Sequence, residues 1–355
     1  VAGQRRAGLV GTGLIGGSIG RALRKAGWHV TGRDHHEDVA AAALAAGAID
    51  AVGVDPDAAI TFVATPVRAV AAAAREALAA GPGVVTDVGS VKASVVEAVG
   101  DPRFLGGHPM AGSEQEGLDG SDADLFRGAV WVLTPTPATA DEDYALVRSV
   151  LRDDLGAEVV ALAPEHHDAL VAVVSHVPHL TATSLMRLAD DRATEHRALL
   201  RLAAGGFRDM TRIASGHPGI WPDICAENRD AILDGLDGLI GSLQQVRDVV
   251  ARGDRQELLA GLEQARAARA NLPTRLGVTA DLCEVRIPVP DRPGVLAEVT
   301  TLAGTLGVNI GDLEIAHSSE GDQGVLILLV EAADADALRD GLAEAGYRAA
   351  VVPLG

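Results

Sequence analysis

Aromatic residues make up only 3% of this 355-residue chain, and its two cysteines, Cys225 and Cys283, form no Cys-x-x-Cys pair. So few thiols exclude a disulfide framework and a cysteine-based metal centre, and both read as ordinary buried thiols. No apolar run approaches the ~18 residues of a membrane span. The opening residues 1–7 carry Arg5 and Arg6 but neither the apolar core nor the small-residue cleavage site of a secretory signal. A cytoplasmic protein that does not enter a membrane is expected. Basic residues are also scarce, 30 Lys and Arg against 49 Asp and Glu, for a formal net charge of −19. With no Lys/Arg run to form a basic stripe, nucleic acid is not an expected partner. The same field repels small anions, so a carboxylate substrate needs local cations, and individual arginines are worth following.

What the chain has is apolar bulk, 48% of its residues, enough for two or three domains. Residues 7–10 read as a short buried strand delivering the chain into Gly11-Thr12-Gly13-Leu14-Ile15-Gly16, with helical character over 18–26. This is the strand, glycine turn and helix of a dinucleotide site. Gly11 makes the turn, Gly13 admits a pyrophosphate, and Gly16 lets the helix approach the sheet. A second strand, 28–32, ends at Arg33-Asp34, about twenty positions on, where an acid holds a ribose hydroxyl. Asp34 repels a 2′-phosphate and Arg33 attracts one; NAD is favoured, with NADP the alternative. Strands at 59–64 and 83–88 flank a helix at 67–80, implying a parallel, doubly wound sheet with ligands beyond the carboxyl ends of its strands, where Thr65, Gly89 and Ser90 fall.

Three segments gather polar residues in predicted turns: 87–92, 106–114 and 175–179. Each has a bland alternative. Ser90 suits a helix N-cap, and His108 suits a satisfied loop histidine. His176 and His179, near His166 and His167, lack the Cys or H-E-x-x-H partners of a metal site, so no metal is expected. Arg208 and Arg212 sit in an Arg-bearing segment, 205–214, whose guanidinium forks suit a carboxylate, although Arg208 has Asp209 as a neighbouring acid. Trp221 reads as core.

Taken in order, GTGLIGGS, VATP, DVGSVK, GGHPMAGSE, HHDALVAVVSHVPH, GFRDMTRIA and the W-P-D-I…E-N run resemble the prephenate dehydrogenase family over residues 7–270. The HPMAG and SHVPH pair is far more specific than the glycine fingerprint. The resemblance implies an oxidative decarboxylation in which prephenate and NAD give 4-hydroxyphenylpyruvate, carbon dioxide and NADH. It gives His108 the hydroxyl proton, with Ser90 orienting it. It places a substrate carboxylate on Arg212 and puts Ser113, Glu114, Ser175 and His179 in the substrate pocket. Cofactor contacts fall to Gly11, Thr12, Gly13, Leu14, Ile15, Gly16, Arg33, Asp34 and Thr65. Arogenate, forming tyrosine directly, is the alternative substrate. A different hydroxyacid oxidoreductase and a non-catalytic amino-acid sensor with a vestigial nucleotide domain are the competing readings.

From Ile232 to Val250 apolar residues step by four and three, the seam of a long helix, followed by a second helix at 256–271. An intrachain bundle is one reading; the family's all-helical dimerisation domain makes a homodimer the expectation. Beyond a linker at 273–280, strands and helices follow in βαββαβ order, a ferredoxin-like unit. The run DRPGVLAEVTTLAGTLGVNIGDLEI resembles an ACT domain. That implies an amino-acid effector, tyrosine by hypothesis, near Asp291, Gly294, Val295, Asn309 and Ile310, or a purely dimerising module. The expected architecture is thus α/β: a Rossmann-type doubly wound domain (1–163), a helical substrate and dimerisation domain (164–272) and an ACT-like regulatory domain (281–355).

Overall fold

The computed structural model describes residues 4–112, 115, 117–193, 199–270, 282–290, 292–317 and 323–353. The chain divides into two compact units, residues 1–185 with 213–239 and residues 186–212 with 240–355.

The first unit is built on strands β1 (Arg6–Val10), β2 (His29–Arg33), β3 (Ala51–Val52), β4 (Ile60–Val63), β5 (Val84–Asp87), β6 (Phe104–Pro109), β7 (Val130–Thr134) and β8 (Glu158–Ala161). They form one sheet in the order β3-β2-β1-β4-β5-β6-β7-β8. The connecting helices are α1 (Leu14–Lys25), α2 (Glu37–Ala45), α3 (Val67–Ala80), α4 (Ala93–Val99) and α5 (Asp141–Ser149). In α1 the buried Ile19, Ala22 and Leu23 pack on the sheet. Arg24 and Lys25 complement the dipole of its last turn, and Gly27, at φ 86°, ends it. The helix starts at Leu14, four residues earlier than the pattern suggested, so the glycine turn feeds it directly. Trp131 is the largest wholly buried side chain, edge-on to Phe62 and tilted against Phe126, at ring distances of 6.3 and 5.0 Å.

The sheet departs from the expected all-parallel arrangement at one seam: β6 and β7 are antiparallel, with Gly106 opposite Thr134 and Pro109 opposite Trp131. Between them the described residues hold only a three-residue 3₁₀ turn, Leu118–Gly120. A parallel return needs a crossover of a dozen or more residues, usually a helix, and the described residues of this connection form none. Strands β1, β4, β5 and β6 all run the same way, so their carboxyl ends share one edge.

After β8, α6 (Pro164–Val171) opens with proline in its first turn, passes through a π-helical turn, Ala172–His176, and continues as α7 (Val177–Ala193). The run Pro164–Ala193 is long and apolar enough by length and composition to cross a membrane. Its buried His167, Asp168 and His176 are nevertheless hydrogen-bonded within the first unit, the packing of a core helix. Segment 175–179, expected as a turn, is therefore helical, and Pro178 lies inside the continuous run Pro164–Ala193, directly after the π turn. Then come α8 (Gly205–Thr211), α9 (Trp221–Glu227), α10 (Arg229–Arg252) and α11 (Arg255–Ala270). Val91, Ala172, Ile224 and Ile232 make a small core joined by Leu180, Trp221 and Leu236. Farther along α10, Ile240, Leu243, Val246 and Val250 are exposed, as are Leu259 and Leu262 of α11.

In the second unit β9 (Leu282–Pro290), α12 (Val295–Thr305), β10 (Asp312–His317), β11 (Gln323–Glu331), α13 (Ala332–Glu344) and β12 (Ala350–Pro353) follow in βαββαβ order. The strands form an antiparallel sheet, β10-β11-β9-β12. Alternate residues Val285, Ile287, Leu326, Leu328 and Val330 face Val299, Leu338 and Leu342 of the helices. Cys283 is buried there; Cys225, expected to be buried, is only partly so.

Candidate active site

At the carboxyl end of β1, Gly11 has φ 92°, which an L side chain rarely adopts, and its N–H donates to the Arg33 carbonyl at 2.8 Å. A Cβ on Gly11 would overlap the Ala64 carbonyl, and one on Gly16 would overlap the Gly11 carbonyl. Gly13 is different: a Cβ there meets nothing within 4 Å, so the space over it is open. Gly13 also precedes the first turn of α1, which has no side-chain cap and no acid to compete for an anion. Asp34 accepts from the Thr12 N–H at 2.8 Å and from the His36 N–H at 3.1 Å, so the end of β2 is tied to the glycine turn. Arg33 is paired with Glu76 at 2.7 Å. At the end of β4 the Thr65 hydroxyl is buried without a partner, a polar atom awaiting a ligand. An open glycine turn, free helix N–H groups, an acid and an orphaned hydroxyl fit a dinucleotide.

Two strands farther along the same edge, β6 carries His108 next to its last residue, Pro109. His108 Nδ1 lies 2.9 Å from His167 Nε2, and His167 Nδ1 lies 2.7 Å from Asp168 Oδ1. The two Asp168 oxygens accept from the backbone N–H groups of Lys92 and Ala93, each at 2.8 Å, which caps α4 from a distant part of the chain. Asn228 donates to the Asp168 carbonyl at 2.9 Å and lies 3.2 Å from His176 Nδ1. Beneath them the Lys92 ammonium is wholly buried against Asp87. Asp87 also accepts from the Gly89 and Gly107 N–H groups at 2.8 and 3.0 Å. Burial, reinforced by Lys92, His167 and His176, holds the His108 imidazole well below its usual pKa, so it is neutral at pH 7. His176 is pushed down to about 4, mainly by burial, and its Nε2 has no partner. His179 stacks on Trp221 with ring centroids 3.6 Å apart and planes 11° from parallel, and burial lowers its pKa too.

Residues 19–161 match the family domain described as "Prephenate dehydrogenase, nucleotide-binding domain", and residues 163–264 match "Prephenate dehydrogenase, dimerization domain". The chain belongs to the prephenate dehydrogenase family. It is 34% identical over 342 residues to the prephenate dehydrogenase of Bacillus subtilis (strain 168), covering 92% of each chain. Among solved structures it resembles the prephenate dehydrogenase from A. aeolicus in complex with hydroxyphenyl propionate and NAD+. That match is 31% identical with TM-score 0.71, covering 75% of this chain and 98% of the other. It also resembles the arogenate dehydrogenase of Synechocystis, at 30% identity and TM-score 0.67, covering 74% and 98%.

Several residues expected from the prephenate dehydrogenase pattern fall in these two places. Gly11, Thr12, Gly13, Leu14, Ile15, Gly16, Arg33, Asp34 and Thr65 lie along the glycine turn and the adjacent strand ends, and His108 lies on the histidine cluster. Ser90 sits in the turn after β5, but it neither caps α4, whose N-cap is Lys92, nor hydrogen-bonds His108. His108 is a strand residue, not a loop histidine. Ser175 is exposed, although the next residue, His176, is buried. Arg212 is exposed at the start of a 3₁₀ turn, Arg212–Ser215. Ser113, Glu114 and Asp291 lie outside the described residues. In the second unit a hollow is lined by Arg292, Gly294, Val295, Ile315 and Gly324; the expected Asn309 and Ile310 are not part of its lining. Sequence reasoning noted His167 only as a neighbour of the other histidines and Asp87 and Lys92 only as the ends of a polar segment, and it gave Asp168 and Asn228 no part in the site. The adjacent His-Asp pair was a usable signal, because a buried imidazole beside a carboxylate commonly orients another histidine or a metal.

Proposed function

We propose that this chain oxidises prephenate with NAD to 4-hydroxyphenylpyruvate and carbon dioxide, with arogenate as the alternative substrate. The observation that carries the reading is a neutral, half-buried His108 on the same sheet edge as the open glycine turn, three strand spacings or about 14 Å away. NAD, when bound, accepts the hydride from the ring carbon that carries the hydroxyl. Gly13 and the first turn of α1 would take its pyrophosphate, and Asp34 a ribose hydroxyl; an Asp rather than a cation at that point favours NAD over NADP. His108 takes the hydroxyl proton as the carbonyl forms. Loss of carbon dioxide then makes the ring aromatic, and the nascent phenolate recovers the proton from His108, so no net proton is consumed.

Arg212 is assigned a substrate carboxylate, and His179, held flat on Trp221, a place against the substrate. Ser90, Ser113, Glu114 and Ser175 remain proposed pocket residues. The division into a nucleotide-binding domain (1–163), a helical substrate and dimerisation domain (164–272) and an ACT-like domain (281–355) belongs to the same reading. The exposed apolar stripe of α10 supports a homodimer. The βαββαβ order of the last unit supports a ferredoxin-like, ACT-type module for which tyrosine is the proposed effector, and a cytoplasmic location completes the picture.

The test is to mix the protein with NAD or NADP and with prephenate or arogenate in all four pairings, following the absorbance of reduced cofactor with and without tyrosine. Turnover with prephenate and NAD is expected, slowed by tyrosine. Silence in all four pairings, with NADH still bound, would overturn the reading in favour of an oxidoreductase for another small acid.

A further inference from the structure

His108, His167 and Asp168 form a series of three groups in which His108 Nδ1 and both His167 nitrogens each face one defined partner. Its far end is fixed: both Asp168 oxygens accept backbone N–H bonds, and the Asp168 carbonyl is held by Asn228. His167 is wholly buried, so neither of its ring nitrogens turns to water. A proton between His167 Nδ1 and a carboxylate oxygen belongs to the imidazole, because the oxygen is an acceptor. With one proton on the ring, His167 Nε2 is left as a lone pair, and it faces His108 Nδ1. The opposite order, with the His167 proton on Nε2, would set a lone pair against Asp168 Oδ1 at 2.7 Å between two buried side chains.

We propose that His167 and Asp168 are positioning residues that hold His108 as the Nδ1–H tautomer, leaving its Nε2 as the nitrogen that takes the substrate hydroxyl proton and later returns it. The inference rests on the proposed oxidation, because only that reaction calls for a proton acceptor at Nε2. Lys92, His176 and the His167 ring itself all disfavour a charge on His108. The bond from His108 Nδ1–H to His167 therefore serves to fix the tautomer and the ring orientation, and the imidazolium formed on proton uptake is transient. The arrangement extends the logic of a carboxylate orienting a catalytic histidine by inserting a second imidazole between the two.

The test has two arms that fail separately. Turnover of wild type with prephenate and NAD decides the reaction by itself. The tautomer is read without any substrate, from ¹⁵N spectra of histidine-labelled protein at neutral pH, with the His108 signals identified by their loss in His108→Asn. A protonated Nδ1 and an unprotonated Nε2 on His108 are expected. The reverse pattern, with His167 donating to His108, would overturn the proposal even in an active enzyme. His167→Leu removes the acceptor and is expected to lower kcat about 100-fold with little change in either KM. In His167→Gln, an amide oxygen that accepts the same N–H restores kcat to within about tenfold of wild type. Equal kcat in the Leu and Gln variants, with wild-type circular dichroism, would reduce His167 to packing and overturn the assignment. Should the Leu variant fail to fold, the wild-type spectrum and the Gln variant still decide.

Discussion

The Lys92 ammonium rests against the Asp87 carboxylate with neither side chain reaching solvent. Burial lowers the Lys92 pKa while Asp87, and more weakly Asp168, pull it back up. Removing one partner leaves a buried charge uncompensated, a loss of about 3–5 kcal/mol. Lys92→Met is expected to lose that much in urea unfolding, and Lys92→Met with Asp87→Asn to recover part of it. Additive losses in the double variant would show that the pair is not coupled.

The glycines of the first turn separate by what surrounds them. Gly16→Ala drives a methyl into the Gly11 carbonyl and is expected to lower the melting temperature or abolish folding. Gly13→Ala meets no protein atom, so it should melt like wild type while binding NAD at least about tenfold more weakly, because only the ligand is displaced. Normal NAD binding by Gly13→Ala, measured by titration calorimetry, would contradict the placement of the pyrophosphate.

His108→Asn is expected to lower kcat about 100- to 10,000-fold, the usual span for loss of a general base, with near-normal NAD affinity. Because the folded environment depresses the His108 pKa, wild-type kcat/KM should stay level through neutral pH and fall only well below the ordinary histidine range. An acid limb at pH 6.5 would place the titrating group elsewhere.

Acid stability follows from His176. Its folded pKa of about 4 lies below the unfolded value of 6.5, so between those values the unfolded chain binds a proton that the folded chain refuses. This contribution is fully present above pH 6.5 and lost as pH falls toward 4, amounting to about 2 kcal/mol by pH 5. His108 acts in the same direction. The drop in unfolding free energy from pH 7 to pH 5 should therefore be smaller in His176→Gln; an equal drop would remove His176 as its source.

Along α10, Leu243 and Val250 are 57% and 60% exposed in the single chain, an apolar stripe suited to a second copy. Replacing both with Asp is expected to weaken self-association by at least about 30-fold. In sedimentation velocity that would turn a dimer into a monomer with an unchanged circular dichroism spectrum. A wild-type monomer at micromolar concentration would refute the dimer.

Much of this was legible in the sequence because it depends on local pattern. The glycine turn, Asp34, helix α3 and the βαββαβ order of the last unit each follow from periodicity and turn chemistry within a few residues. What stayed hidden depends on contacts between distant segments. Asp168 caps α4 from 75 residues away along the chain, so Ser90 looked like the cap. The antiparallel β6–β7 seam follows from a missing crossover helix, which strand pattern alone does not register. His176 and Ser175 are neighbours in sequence, yet only His176 is buried; which one turns inward depends on the helical phase at that point.

That phase is set by the π turn at Ala172–His176. Such a turn holds one more residue than the α-helical turn it replaces. Removing one residue there would restore an ordinary α-helical turn and leave the later side chains, His179 among them, close to their present phase. Pro178, which follows the turn directly, would then stand inside a regular helix, without an N–H to donate and crowding a carbonyl one turn back. A one-residue deletion in the turn is therefore expected to strain the helix at Pro178, between the two histidine groups, without altering the chemistry of any side chain.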